Sequence, residues 1–170
     1  MAEIKLYFTT GNELVSHIIR GAELGFPYSH VGCVLDNGQL LSAHMVGGVQ
    51  VRRPDSEDPW DAWAYVTVPC TDQQKTDQER WLLSQVGKPY DMDAIAQMAE
   101  GALTAKVGHG GWPNGWICSS LQFEALFRVG LVNWEPGPLA IVTPQCLMFV
   151  CSAITGSKKA TRGKSVPGAL

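Results

Sequence analysis

The chain has 170 residues, of which 45% are hydrophobic and 17% are charged. This composition predicts one folded domain and excludes a disordered chain. Lys and Arg total 13 against 16 Asp and Glu, which gives a net charge of −3. A general nucleic-acid-binding protein normally carries a basic excess or a concentrated basic patch, so we expect no nucleic-acid partner.

The ends of the chain predict its organisation and location. No apolar run reaches the roughly 20 residues of a membrane-spanning helix, so we expect no integral membrane segment. The first residues lack the order of basic, apolar and small residues found in a signal peptide, which predicts a cytoplasmic protein unless a partner exports it. We expect a single domain over 1–155 and a basic C-terminal tail over 156–170.

The N-terminal half predicts one helix followed by strands. Asn12 is placed to cap a helix whose apolar residues recur at helical spacing over 14–19. Alternation and turn residues predict strands over 4–9, 30–35, 39–45, 49–52 and 63–68. The turn Asp36-Asn37-Gly38 joins the second and third of these strands into a β-hairpin.

The C-terminal half predicts helices. Thr71 to Gln74 resembles a capping box, and further helices are expected over 91–103 and 119–129, the last of them with Gly130 as its C-cap. A glycine-rich loop occupies 106–115, and a final short helix begins around 143–145. This order of elements predicts an α+β fold with an antiparallel sheet packed against helices.

The five cysteines form no CxxC pair, and their number is odd. This pattern favours neither a disulfide framework nor a zinc cluster. Each cysteine is therefore interpreted separately, as a buried thiol or as a nucleophile. We expect structural thiols at Cys33, Cys70, Cys146 and Cys151.

Cys118 is the strongest candidate for chemistry. It follows the glycine-rich loop and directly precedes an amphipathic helix. The positive end of the helix dipole and the unpaired N–H groups at a helix start stabilise a thiolate, and the same N–H groups can bind an oxyanion. The alternative is that Cys118 is a small buried hydrophobic residue, as most free cysteines are.

The chain has four histidines, of which two suit a catalytic role. His30 opens a predicted strand, and His44 follows on the strand after the hairpin turn, so their rings can lie side by side on one face. One imidazole could then orient the other. The alternative is that both are half-buried, hydrogen-bonded strand residues. We expect His17 on the surface or in packing, and His109 in the loop.

Four short segments occur in the order Ser29-His30-Val31-Gly32, Gly47-Gly48-Val49, Gly87-Lys88-Pro89-Tyr90-Asp91 and Cys118-Ser119-Ser120-Leu121. In their order and combination they resemble the circularly permuted papain-like hydrolases. This branch of the NlpC superfamily includes the YiiX/YaeF-like amidases and is related to the lecithin:retinol acyltransferase-like group. The resemblance implies a circularly permuted papain-like (NlpC-type) fold, of a bacterial or phage type, in which the histidine precedes the nucleophile.

The resemblance also implies roles for individual residues. Cys118 corresponds to the nucleophile and His30 to the general base. The third, polar position falls at His44, with Ser42 as the alternative because it shares the same side-chain parity along the strand.

Further candidates surround the nucleophile. Tyr90 matches a tyrosine that lies close to the nucleophile in related enzymes, where its hydroxyl could support the oxyanion or the substrate; ordinary packing is the alternative. Ser119 and Trp116 are the other candidate substrate or oxyanion contacts, and Trp112 also flanks the approach to Cys118. We expect Asp91 to cap the following helix rather than to catalyse.

These observations predict a cysteine hydrolase that cleaves an amide (peptide, cell-wall or N-acyl) or an ester through a Cys118 thioester, with no cofactor and no metal. One alternative is an acyltransferase that uses the same site. A second is a catalytically inactive ligand-binding module of the same fold. A zinc site formed by His30, His44 and Cys118 is a further alternative, which the absence of an HExxH motif argues against.

Overall fold

The computed structural model describes residues 2–11, 14–53, 63–104, 115–133, 142–155 and 161–163. The strands of this part of the chain are β1 (Ala2–Thr9), β2 (His30–Val34), β3 (Leu40–His44), β4 (Gly48–Arg52), β5 (Trp63–Cys70) and β6 (Thr161–Gly163). The helices are α1 (Leu14–Ala22), α2 (Asp72–Leu83), α3 (Met92–Thr104), α4 (Cys118–Arg128) and α5 (Pro144–Thr155).

The six strands form one antiparallel sheet in the order β4-β3-β2-β1-β5-β6, and the fold is α+β. The β1 register places Leu6 opposite Cys33 of β2 and Val66 of β5. Directly opposite residues share a face of the sheet, so these three side chains enter the same core. The alternation predicted for β1 is confirmed, because Ile4, Leu6 and Phe8 are all buried.

The helices cover the core and bring α4 onto the hairpin. α4 packs against β2 and β3, whereas α5 packs against β5. Leu121, Phe123 and Leu126 of α4 are fully buried in the main hydrophobic cluster. A second, smaller cluster joins α1 and α3 to Ile117, the residue that precedes α4. The start of α4 therefore lies where the two clusters meet.

The local signals in the sequence produce the expected turns and caps. In the hairpin turn, Gly38 has φ of +78° and donates its N–H to Leu35 O at 2.9 Å. The capping box of α2 is confirmed, since Gln74 N donates to Thr71 Oγ1 at 3.1 Å and Thr71 N to Gln74 Oε1 at 3.0 Å. Asp91 Oδ1 accepts from Ala94 N at 2.9 Å, which confirms its predicted role as a cap.

The structure differs from the sequence prediction in the extent of several elements. β5 continues through Pro69 to Cys70, and over these residues it pairs with β1. α4 begins at Cys118 itself. Thr161–Gly163, within the predicted tail, forms β6, which the sequence analysis missed.

Several predicted features lie outside the described residues. These are the Asn12 cap, the loop residues 106–114 with His109 and Trp112, and the remainder of the predicted tail at 156–160 and 164–170. Within the described ranges, no helix combines the length and apolar character needed to cross a bilayer.

A short connection ties the end of the hairpin to the start of α4. Val49 N donates to Lys88 O and Gly87 N to Val49 O, both at 2.9 Å. A Cβ atom on Gly48 would lie 2.1 Å from Lys88 O. Gly48 also has φ of +70°, so both the close approach and the backbone conformation require glycine. In the same segment, Pro89 O accepts a hydrogen bond from Trp116 N at 3.0 Å. The segment 87–91 thereby links β4 to the residues that lead into Cys118.

Candidate active site

His30 and His44 lie against each other at one end of β2 and β3. Their ring centroids are 4.9 Å apart with an interplanar angle of 35°. His30 is fixed by β1, because it is paired with Thr9 in the antiparallel ladder. The prediction that the hairpin brings the two rings side by side is confirmed. Their catalytic roles stay predictions.

Both imidazoles are half-buried, and both are held in the neutral form. Burial lowers the pKa of His30 to about 3. A positive charge on His44 and the charge of Arg52 act in the same direction. Burial and Arg52 lower the pKa of His44 to about 4. Arg52 lies on β4, where it pairs with Leu40 of β3. A neutral imidazole is the form that a general base requires.

Cys118 is the first residue of α4, and its side chain is buried. The backbone N–H groups of Val31 and Ser119 lie near its sulfur and lower the pKa of the thiol. The Val31 N–H belongs to the peptide unit that joins His30 to Val31, so the thiol lies beside the backbone of the candidate base. Among the described residues, no hydrogen bond joins Cys118 Sγ to either imidazole. Catalytic hydrogen bonds are often long in ligand-free structures.

The pKa of the Cys118 thiol differs from the expectation for a helix start. Burial raises it to about 11, and this effect outweighs the backbone hydrogen bonds from Val31 and Ser119, which lower it. The expectation of a stabilised thiolate is therefore wrong for the structure at rest, because removing a charge from water costs more than the helix start returns. At neutral pH the site holds a neutral thiol and a neutral imidazole.

A buried acidic residue lies near the thiol. Glu23, at the end of α1, accepts a hydrogen bond from Gln145 N through Oε1 at 2.7 Å and so caps α5. Its pKa is raised by burial, and hydrogen bonds from Thr143 and Gln145 partly oppose that rise. Its negative charge also raises the pKa of Cys118. The sequence analysis missed Glu23, since a single acidic residue after a helix carries no recognisable signal.

The three candidate substrate contacts occupy different positions. Tyr90 pairs with Trp116 in an isolated parallel bridge, so both lie on the link that precedes Cys118. Trp116 is buried with its ring edge-on to Trp81, 5.5 Å between centroids. Ser119 is also buried, and its hydroxyl donates to Val142 O at 2.7 Å, which ties α4 to the residues before α5. Contact of any of these with a substrate stays a prediction.

The N-cap residue of α4 provides no side-chain cap for the first turn of the helix. Ile117, at the N-cap position, has an apolar side chain that accepts no hydrogen bond from the first turn. The Ser120 hydroxyl accepts a hydrogen bond from Ile117 N at 3.2 Å, and this N–H precedes the first N–H of the helix. The side-chain capping that normally satisfies the first N–H groups of a helix is thus absent at this N-cap residue.

The remaining cysteines fit a structural role. Cys33 is buried against Gln78, whose Nε2 lies 3.4 Å from its sulfur, and burial raises its pKa to about 12. Cys151 is likewise buried, with a pKa of about 12. In the part of the chain that the structure describes, no group of three or more His, Cys, Asp or Glu side chains is placed to hold a metal ion.

The lowered imidazole pKa values predict how stability depends on pH. Between about pH 4 and 6.5 the two histidines bind more protons in the unfolded chain than in the folded protein, so their contribution to the free energy of unfolding falls as pH falls through this window. Each neutral imidazole contributes a slope of up to about 1.4 kcal/mol per pH unit. Urea unfolding of the wild type and His30→Gln at several pH values should show a shallower slope in the variant. Equal slopes would contradict a lowered pKa at the half-buried His30.

Comparisons with known proteins give a limited result. No protein family matches the chain, and no curated protein matches it. Comparison with solved structures found the crystal structure of metalloprotein yiiX from Escherichia coli O157:H7, which is 17% identical. The match covers 95% of each chain, with a TM-score of 0.46.

Proposed function

We propose that this protein is a cysteine hydrolase of the circularly permuted, NlpC-type papain-like class, with Cys118 as nucleophile and His30 as general base. One observation carries the proposal. Cys118, the first residue of α4, packs against β2 beside the peptide unit between His30 and Val31, whose N–H lowers the pKa of the thiol. The candidate nucleophile, the candidate base and a helix N-terminus therefore lie near one end of this hairpin.

The first step starts from two neutral groups. His30 removes the thiol proton as the sulfur attacks the substrate's carbonyl carbon. Proton transfer accompanies attack because the thiol pKa lies at about 11 in the resting site. The new C–S bond gives a tetrahedral intermediate whose negative oxygen is stabilised by N–H groups at the start of α4.

Collapse of the intermediate breaks the bond to the leaving group. The protonated His30 gives its proton to the departing amine or alcohol, which leaves an acyl thioester on Cys118 and a neutral imidazole. Water then attacks the thioester with His30 as base again, and the acid and the free thiol are released. The substrate class is an amide, of peptide, cell-wall or N-acyl type, or an ester.

His44 is proposed as the third residue of the site. Its ring lies against His30, which suits a group that holds the base in one orientation. Ser42, the alternative, uses its hydroxyl differently, since it donates to Val31 O at 2.6 Å and fixes the strand beside Cys118. This contrast favours His44 in the orienting role and gives Ser42 a backbone role.

Replacement of the nucleophile is the first test of this function. Cys118→Ala should abolish hydrolysis across a panel of p-nitrophenyl esters and N-acyl amides, because no acyl-enzyme can form. Cys146→Ala, at a half-buried thiol on α5, is the matched control and should keep the wild-type rate. Product release is followed by absorbance, and circular dichroism verifies that each variant folds.

Two outcomes of that assay would contradict the proposal. One is hydrolysis by Cys118→Ala at the wild-type rate. The other is the absence of turnover by the wild type on every ester and amide, which would favour a ligand-binding module of the same fold.

The third position is tested by comparing two variants on neighbouring positions of one strand face. His44→Gln should lower kcat by about 10- to 100-fold with little change in the free energy of unfolding, since it removes the group that orients the base. Ser42→Ala should chiefly lower stability, by about 1 kcal/mol, through the lost bond to Val31 O. Urea unfolding and steady-state kinetics measure both. A larger kcat loss in Ser42→Ala than in His44→Gln would reverse the assignment.

A further inference from the structure

Gln122 has a polar amide side chain that is fully buried in the domain. It lies on α4 one turn after Cys118, so both side chains are on the same face of the helix. Its exposed fraction is 0%. Nε2 donates to Leu41 O of β3 at 2.9 Å, while Oε1 is buried with no hydrogen-bond partner in the described part of the chain.

Stability alone does not explain this amide. A buried acceptor that lacks a partner destabilises the fold at least as much as one neutral hydrogen bond stabilises it. An apolar side chain of similar volume would remove the unpaired Oε1, but Leu41 O would then lose its donor, so the two effects on stability largely cancel. The contribution of Gln122 is therefore to be sought in the position of α4.

The partner of Gln122 lies midway along the candidate site. Leu41 O belongs to the strand that reaches His44 three residues later, and Leu41 is paired with Cys33, three residues after His30. Within the described residues, β2 and β3 are paired only at Cys33–Leu41 and Val34–Leu40. Closer to the histidines, the backbone carbonyls of these strands accept hydrogen bonds from the side chains of Ser42 and Gln122.

Two contacts one turn apart therefore attach α4 to the two histidine strands. Near Cys118, α4 packs on β2 beside the Val31 N–H, and the amide of Gln122 donates to Leu41 O of β3. Four residues of α-helix span about 6 Å, which is close to the separation of neighbouring strands. Two such points define both the rotation of α4 about its axis and its height above the hairpin.

We propose that Gln122 is a positioning residue, whose hydrogen bond to Leu41 O sets the place of the Cys118 sulfur relative to His30 and His44. This inference rests on the proposed hydrolase function. Without the bond, α4 can rotate against the apolar side chains on which it packs, and the sulfur then leaves the position from which His30 removes its proton. Errors of about 1 Å in such a position can cost 100-fold in rate.

The test compares two buried glutamines. Gln122→Met removes the hydrogen bond and keeps an unbranched side chain of similar length, and Gln122→Leu provides a second variant should the first fold poorly. Gln78→Met is the matched control, because Gln78 is equally buried, on α2, and bonds Cys33 Sγ instead. Hydrolysis of p-nitrophenyl acetate gives kcat and KM, and urea unfolding gives the free energy of unfolding.

The expected result separates positioning from stability. Gln122→Met or Gln122→Leu should have a urea midpoint close to that of the wild type, because removal of the unpaired Oε1 offsets loss of the bond to Leu41 O, yet show a kcat at least 10-fold lower with KM within about twofold. Gln78→Met should keep the wild-type kcat. The inference is overturned if the Gln122 variants keep kcat within twofold, if Gln78→Met loses as much, or if the loss only follows the unfolded fraction.

The same experiment distinguishes failure of the inference from failure of the function. Wild-type activity that Cys118→Ala abolishes, together with unaffected Gln122 variants, overturns the positioning role and leaves the hydrolase in place. Equal rates for the wild type and Cys118→Ala overturn both.

Discussion

The candidate site depends on how the first turn of α4 meets the hairpin of β2 and β3. Where the backbone ladder between these strands ends, two side-chain hydrogen bonds satisfy the unpaired peptide groups. Ser42 Oγ donates to Val31 O and Gln122 Nε2 donates to Leu41 O, while the Val31 N–H lies beside the sulfur of Cys118. Buried backbone groups must be satisfied, so the opening of the ladder creates the demand that the helix meets.

This arrangement decides the electrostatics of the site. A helix start favours a thiolate, and an imidazolium would favour it further. Enclosure opposes both charges, and it raises the pKa of Cys118 while lowering that of His30. Arg52 and Glu23 add to the effect, the first by opposing protonated histidines and the second by opposing the thiolate. The proposed mechanism therefore resembles a general-base attack by a neutral nucleophile rather than attack by a preformed ion pair.

The sequence predicted most of the elements because their signals are local. The hairpin turn, the capping box of α2 and Gly130 at the end of α4 each depend on neighbouring residues, and each was found where expected. The neighbourhood of His30 and His44 also followed from one turn and the two-residue period of strands. The extent of β5 and the presence of β6 did not follow from local signals, because they depend on pairing between β5 and its neighbours β1 and β6.

The residues that the sequence analysis missed act over long separations. Glu23 caps a helix that begins more than a hundred residues later, and Gln122 contacts a carbonyl on a strand far earlier in the chain. No local pattern marks such partners. The raised thiol pKa was missed for a related reason, since burial depends on packing of the whole domain whereas the helix dipole is visible in the local sequence.

The most direct test of the central claim is to identify the residue that carries the acyl group. The protein is mixed with p-nitrophenyl acetate at neutral pH, quenched in acid within the first turnover and mapped by peptide mass. The account predicts one acetyl group, on Cys118, which is lost by hydrolysis in the wild type and does not form in His30→Gln. Acetylation confined to Cys146 or to surface lysines, with Cys118 unmodified, would contradict it.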